Sequence, residues 1–314
     1  MSILKKGFKI VIFLILLIFL GFGIKYYDLL FFKSNSVQKV LFEADFDSGD
    51  SLTEMDFQYS GNKTAKIVNI GGRRAVKISL HRFKDEVSYR SEIMPRLYWK
   101  NEISYHSEIL PRSYWKKKIF FSRKRPYAII GREYRYHILI YLPNDWKFDS
   151  YEKILMQWHG FPDRNLSEKS RNPPIALRIQ NGNTGVGSNY IIRIRSDSND
   201  VTSPNGPYEI DEEIDIGSIV EDLGKWTEWV FQIKWSFESN GSLVVWKDGD
   251  IVLERKKQAN TFNDKLGPFW KFGVYIPHWI KELNVQRTGF EKYTAYFDNV
   301  SIVEIIKVQQ SKRE

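Results

Sequence analysis

From residue 39 onward the chain alternates between apolar and polar positions in short runs, with turn residues between them. The clearest runs are KVLFEADF (39–46), AVKISLH (75–81), YRYHILIYLP (134–143), YEKILMQWHG (151–160) and PIALRIQ (174–180). NYIIRIRS (189–196), WTEWVFQIKWS (226–236), SLVVWKDG (242–249), FWKFGVYI (269–276) and TAYFDNVSIVEI (294–305) continue the series. Alternation with a period of two buries every second side chain of a strand, and Val, Ile, Tyr, Phe and Trp fit a pleated, half-buried surface. Turn chemistry punctuates the runs at Asn181-Gly182, Asn205-Gly206, Asn240-Gly241 and Asp248-Gly249. No stretch beyond the N-terminus carries a helical period. Many strands without alternating helices predict an all-β protein, a β-sandwich of the jelly-roll kind, rather than a parallel sheet wrapped by helices.

The N-terminus breaks this pattern. Lys5, Lys6 and Lys9 precede an uncharged apolar run over residues 10–24. The run is short for a full span of about 20 residues, and fits a signal peptide or a signal anchor forming an apolar helix. Lysines ahead of the run place the rest of the chain outside the cytoplasm. The expected organisation is therefore a signal segment over 1–24, a tether over 25–38 and one β-domain over 39–308. The expected product is exported, secreted or membrane-anchored, and touches a membrane only through this segment.

Composition narrows the chemistry. None of the 314 residues is Cys, which excludes disulfides, Cys-ligated metals and a thiol nucleophile. Lys and Arg number 47 against 38 Asp and Glu, for a formal net charge of +9. Between His81 and Tyr136 stand 14 Lys/Arg and 6 Asp/Glu, a net of +8, so nearly all the excess lies in one stretch. This is either a solvated basic loop or a patch that attracts an anionic polymer. The same stretch holds a duplication: YRSEIMPRLYWK (89–100) and YHSEILPRSYWK (105–116) share nine of twelve positions. Export removes nucleic acid from the expected partners and leaves an acidic polysaccharide, bound by a monomer.

Three strand-like segments carry polar groups at even spacing: Arg90-Ser91-Glu92, Gln157-Trp158-His159 and Lys271-Phe272-Gly273-Val274-Tyr275. Residues i, i+2 and i+4 of a strand share a face, so each segment sends its polar groups one way and Trp158, Phe272 and Val274 the other. Gly273 is expected to leave room for a ligand near the backbone. Arg, Gln and Lys neutralise a carboxylate, while His and Tyr exchange protons. That set suits β-elimination beside a uronic acid. Neutralising the carboxylate stabilises the enolate-like intermediate, a base removes the C5 proton, and an acid protonates the leaving 4-oxygen. The reaction requires no cofactor. Each segment taken alone also fits a structural pair or a rim aromatic.

In this order RSE, QWH and KFGVY resemble the signature strands of alginate-lyase-type polysaccharide lyases with a concanavalin A-like jelly roll. The flanks YLPNDW, QWHGFPD, PPIALRI, GPFWKFGVY and YFDNV are closer to heparin lyase I and glucuronan lyase. The resemblance runs from about residue 40 to 305. It implies cleavage of a uronic-acid polymer that leaves a 4,5-unsaturated end. It implies His159 as general base, or as a partner of the carboxylate, depending on the sugar epimer. Tyr275 would be the general acid, or acid and base together. Arg90, Gln157 and Lys271 would hold the uronate, with Glu92 orienting Arg90. The second copy of the duplication has His106 in place of Arg90, and Arg90 is the expected site residue.

Competing readings attach to other residues. Glu209-Ile210-Asp211-Glu212-Glu213 resembles the E-x-D-x-E strand of jelly-roll glycoside hydrolases, and reads instead as an acidic loop or edge. A non-catalytic carbohydrate-binding sandwich would use an aromatic floor drawn from Trp99, Trp115, Trp146, Trp158 and Trp279. A structural Ca2+ would use Asp298 with Asp45 or Asp47. No nucleophile elbow or phosphate loop is present.

Overall fold

The computed structural model describes residues 36–47, 52, 55–59, 65–82, 89–96, 127–181, 188–281 and 292–307. The apolar N-terminal run, the second copy of the duplication and most of the basic stretch lie outside these residues. Two compact units are distinguished: Met1–Val37 with Ile306–Glu314, and Gln38–Ile305. The second unit carries the fold and site below. Among the described residues no helix is long and apolar enough to cross a membrane.

The described residues are almost entirely β. The strands are β1 (Ser36–Ala44), β2 (Met55–Tyr59), β3 (Ala65–Ile70), β4 (Arg73–His81), β5 (Arg90–Pro95), β6 (Glu133–Tyr141), β7 (Lys153–His159) and β8 (Ile175–Asn181). They continue with β9 (Ser188–Ser196), β10 (Ile210–Ser218), β11 (Trp226–Lys234), β12 (Ser242–Lys247), β13 (Asp250–Lys256), β14 (Phe269–Tyr275) and β15 (Lys292–Lys307). One sheet runs β13-β12-β11-β6-β15-β4-β3, with β1 against β15; the other runs β10-β9-β8-β7-β14-β5-β2. Neighbours along both strand orders are antiparallel. A single turn of helix (His278–Lys281) follows β14.

Alternation explains both the pairing and the layers. Strand β11 buries every second residue, and its buried Trp229, Phe231 and Ile233 enter the core between the sheets. Trp158 of β7 lies fully buried and meets residues of the opposite sheet, with Tyr136 at 5.2 Å and Phe231 at 4.9 Å between ring centroids. It also stacks on Trp270 of the neighbouring strand, 6.0 Å away at 12°. This aromatic cluster locks the two sheets together at the centre of the second sheet. Burying an aromatic of this size stabilises by about 3–5 kcal/mol relative to Ala.

Trp146, Trp158 and Trp279 are all buried. The aromatic floor of a carbohydrate-binding surface is thus corrected for these three: their rings fill the core rather than stand exposed. Trp99 and Trp115 fall outside the described residues. Of the acidic segment at 209–213, residues 210–213 form the start of edge strand β10, where they are paired with β9.

Candidate active site

The three polar segments occupy three adjacent strands. β14 lies between β7 and β5 at the middle of the second sheet. Its register sets Tyr275 opposite Arg90 and Gly273 opposite Glu92 on one side. On the other side Lys271 faces Gln157, and Phe269 faces His159. Because the intervening Trp158, Phe272 and Val274 are buried in the core, the polar groups all point to the outer face. The strand at this position is the first copy of the duplication, so Arg90 stands beside Tyr275.

Glu92 is the hub. Its side chain is 1% exposed; one carboxylate oxygen accepts a short hydrogen bond from Gln157 Nε2. The other lies 3.7 Å from Arg90 Nη1 and 3.8 Å from Lys271 Nζ. A buried carboxylate is tolerated only with such partners. Lys271 is buried too, and donates to Gln58 Oε1 at 3.0 Å. Gln58, on β2, was not visible as a site residue in the sequence. Gln157 and Lys271 thus form the floor, whereas Arg90, Tyr275 and His159 are half-buried and reach the surface. The Arg90 guanidinium lies over the Tyr275 ring at 4.1 Å, a cation–π contact that orients both.

His159 closes β7. Its Nδ1 is 3.0 Å from the Gly160 carbonyl oxygen. A carbonyl only accepts, so Nδ1 carries the proton and the neutral ring presents a lone pair at Nε2. Burial pushes the imidazole down to about 3, helped by the positive charges of Lys271, Arg90 and Arg171; the Gly160 carbonyl opposes them. Burial likewise raises Tyr275, against the pull of Arg90. Burial lowers Lys271, while Glu92 supports its charge. The resting site therefore holds a neutral histidine and a protonated tyrosine beside Arg90, Lys271 and Glu92.

Gly273 has a different cause from the one expected. Its φ is +151°, and a Cβ there would stand 2.1 Å from Ser91 O and 2.8 Å from Glu92 Cα. The space is filled by the backbone of β5, not left for a ligand, and the β14–β7 register shifts between Phe272 and Tyr275. Gly273→Ala is expected to push β5 away from β14 and to cost more than about 1 kcal/mol. Thermal denaturation checks this; an unchanged melting temperature would contradict it.

The decoy carboxylates are spoken for. Asp211 pairs with Arg193 at 2.6 Å and Arg195 at 3.0 Å, and Glu213 pairs with Arg178 at 2.5 Å and with Arg193. Glu212 pairs with Arg255. Carboxylates tied up in this way are poor candidates for a hydrolase's nucleophile and acid. Asp298 meets the Arg73 guanidinium at 3.2 Å and accepts from the Asn299 N–H at 2.7 Å. Among the described residues no group of three His, Cys, Asp or Glu is arranged to hold a metal ion. Burial raises the Asp298 carboxyl, and Asp47 lies near enough to raise it further, against the pull of Arg73.

Known structures share this fold. Endo-β-1,4-glucuronan lyase from the fungus Trichoderma reesei superposes with a TM-score of 0.54 at 18% identity, covering 84% of this chain and 95% of that one. Alginate lyase PA1167 from Pseudomonas aeruginosa gives 0.47 at 13% identity, covering 83% and 97%. Alginate lyase vAL-1 from Chlorella virus gives 0.45 at 11%, covering 85% and 100%. No curated protein matches the sequence. The sequence model of the family described as Polysaccharide lyase matches residues 45–301. The chain belongs to that family, and is an enzyme that acts on polysaccharides.

Proposed function

We propose that this protein cleaves a uronic-acid-containing polysaccharide by β-elimination on the outer face of its second sheet, within a concanavalin A-like jelly roll. The observation that carries this reading is geometric: three adjacent strands bring Arg90, Glu92, Gln157, His159, Lys271 and Tyr275 to one face of the sheet. His159 is neutral with Nε2 unprotonated, and Tyr275 retains its proton. These are the states a base and an acid need before the reaction begins.

Charge selects the substrate class. Arg90 and Lys271 bring two positive charges and Glu92 one negative, so the patch holds an excess of one. One uronate carboxylate balances it. Arg90, half-exposed, meets that carboxylate, and Lys271 adds its charge from below while Gln157 and Glu92 keep both cations in place. Neutralisation lowers the cost of the negative charge that develops as the C5–H bond breaks. His159 Nε2 takes the proton, the C4–O bond breaks, and the Tyr275 hydroxyl proton passes to the leaving oxygen. Arrival of the carboxylate also offsets the cations that hold His159 down, so the base strengthens when substrate binds. No step runs through a metal. Export of the domain, through the segment at 1–24, would place it where such polymers occur.

The test is a panel of alginate, glucuronan and heparin-type polymers followed in the ultraviolet. The expected result is absorbance from a 4,5-unsaturated uronate on at least one of them. Binding without absorbance on all three would favour a carbohydrate-binding sandwich instead, and new reducing ends without absorbance would favour hydrolysis.

A further inference from the structure

Behind His159 lies a buried ionic knot that the reaction scheme does not use. Arg171 forms ion pairs with Glu168, at 2.7 Å, and with Asp264. Its guanidinium lies over the Phe262 ring at 4.3 Å. Glu168 accepts from the Asp163 N–H at 2.7 Å and from the Thr202 N–H at 2.8 Å. Asp163 in turn accepts from the Lys265 N–H at 3.3 Å. Asp163, Glu168, Arg171 and Asp264 are all less than 9% exposed. Three loops, around 160–173, 197–202 and 260–265, are thereby fastened to one another.

The knot touches the catalytic strand at Gly160. A Cβ on Gly160 would stand 2.8 Å from Asp264 Oδ2, 3.6 Å from Arg171 Nη2 and 3.8 Å from Phe262 Cδ2. Gly160, the residue after His159, is therefore seated directly against this ion pair. Its carbonyl accepts the hydrogen bond from His159 Nδ1–H and so decides which ring nitrogen is left as the base. Asp264 Oδ2 is buried without a hydrogen-bond partner. Burial pushes the Asp264 carboxyl up to about 7 against the pull of Arg171, with Glu168 and Asp163 also raising it. Buried ion pairs often contribute little net stability, and apolar residues of similar volume replace them at small cost. A role in holding geometry accounts better for keeping this one.

We propose that Arg171 and Asp264 are positioning residues for His159, acting through Gly160 to fix its tautomer and aim. The proposal rests on the lyase reading given above. Without the pair the Gly160 peptide is free to turn, and a misplacement of about 1 Å costs on the order of a hundredfold in rate.

The test compares the full chain with Asp264→Asn, Arg171→Met, Arg171→Lys and Gly160→Ala. In the first two, kcat is expected to fall about tenfold to a hundredfold with KM nearly unchanged. Arg171→Lys, which keeps the charge but cannot bridge two carboxylates in one plane, should recover only part of the loss. Gly160→Ala should act in the same direction by pressing on Asp264 Oδ2, and serves if Arg171→Met does not fold. Nitrogen-15 histidine spectra should show His159 protonated at Nδ1 in the native protein and a mixture of tautomers in the variants. A purely structural role would lower the melting temperature and leave those spectra and the kcat of the folded fraction unchanged; that result overturns the proposal. If native protein forms no unsaturated product, the lyase reading fails, and the tautomer spectra still decide the positioning claim.

Discussion

His159→Ala and Tyr275→Phe are each expected to lower formation of unsaturated product by about a hundredfold to ten-thousandfold, the usual contribution of a placed general base or acid. Both side chains are half-buried at the surface, so neither change opens a core cavity. Circular dichroism and the melting temperature should stay close to the native values, separating chemistry from folding. The two losses are expected to be far from additive, because base and acid serve one elimination. The pH dependence carries further information. An ordinary histidine, with a value near 6.5, would be mostly protonated at pH 5. His159, held down to about 3, remains a base there. Tyr275, raised by burial, keeps its proton above the pH at which an exposed tyrosine would lose it. Neither group should therefore contribute a limb to kcat/KM of the free enzyme between pH 5 and 9. Burial is the leading cause of the lowered value and Lys271 the next. Lys271→Met should accordingly move the acid limb upward. A limb at pH 6.5 that survives Asp264→Asn would mean that His159 titrates as an ordinary imidazole and is not held down by its surroundings.

Much of this arrangement is written in the alternation of the chain. Strands whose faces see different solvents declare themselves: β11, with its strict buried-and-half-buried pattern, is plain in the sequence WTEWVFQIK. β7 buries almost every residue, and only its flanks and its Gln-x-His pattern mark which face is which. The edge strands are less legible. β13 (DIVLERK) and β10 (IDEEIDIGS) are largely exposed, so their side chains answer to solvent and to ion pairs rather than to a core. The likeness of β10 to a hydrolase strand arises there. Its carboxylates in fact serve Arg178, Arg193, Arg195 and Arg255.

The site divides in the same way. Alternation alone places Arg90, Glu92, Gln157, His159, Lys271 and Tyr275 on one face, because all six sit on strands of fixed period. It says nothing of Gln58, which reaches Lys271 from 213 positions away. Nor does it reveal Arg171 and Asp264, which come from loops and meet across 93 positions. Periodicity describes a strand and its two faces; it carries no information about which loops close behind a strand end. The reason for Gly273 was hidden for a related cause. A gap suited to a ligand and a gap filled by the next strand require the same residue, and only the register with β5 distinguishes them.

Glu92→Gln is the second change expected to have a large effect, and it should act through stability before chemistry. The amide keeps the volume and removes the charge. Gln157 Nε2 would still find an oxygen to donate to. Lys271, buried and 3.8 Å from the lost charge, would not be compensated, and Arg90 would lose the partner 3.7 Å away. Breaking a buried ion pair from one side costs about 3–5 kcal/mol, because the surviving charge stays buried. In a domain of this size that lowers the melting temperature by roughly 10 °C. The remaining lysine has another way out, since burial already lowers its proton affinity and Glu92 is what supports it. Without Glu92 it would shed its proton more readily, and the excess positive charge offered to the substrate carboxylate would shrink as pH rises. Activity in Glu92→Gln should thus decline at alkaline pH more than that of the native enzyme. Adding Lys271→Met to Glu92→Gln removes the stranded charge, and should restore much of the melting temperature while leaving the enzyme slow. If Glu92 instead touched the sugar and held nothing together, Glu92→Gln would slow the enzyme without lowering its melting temperature, and the double substitution would restore nothing.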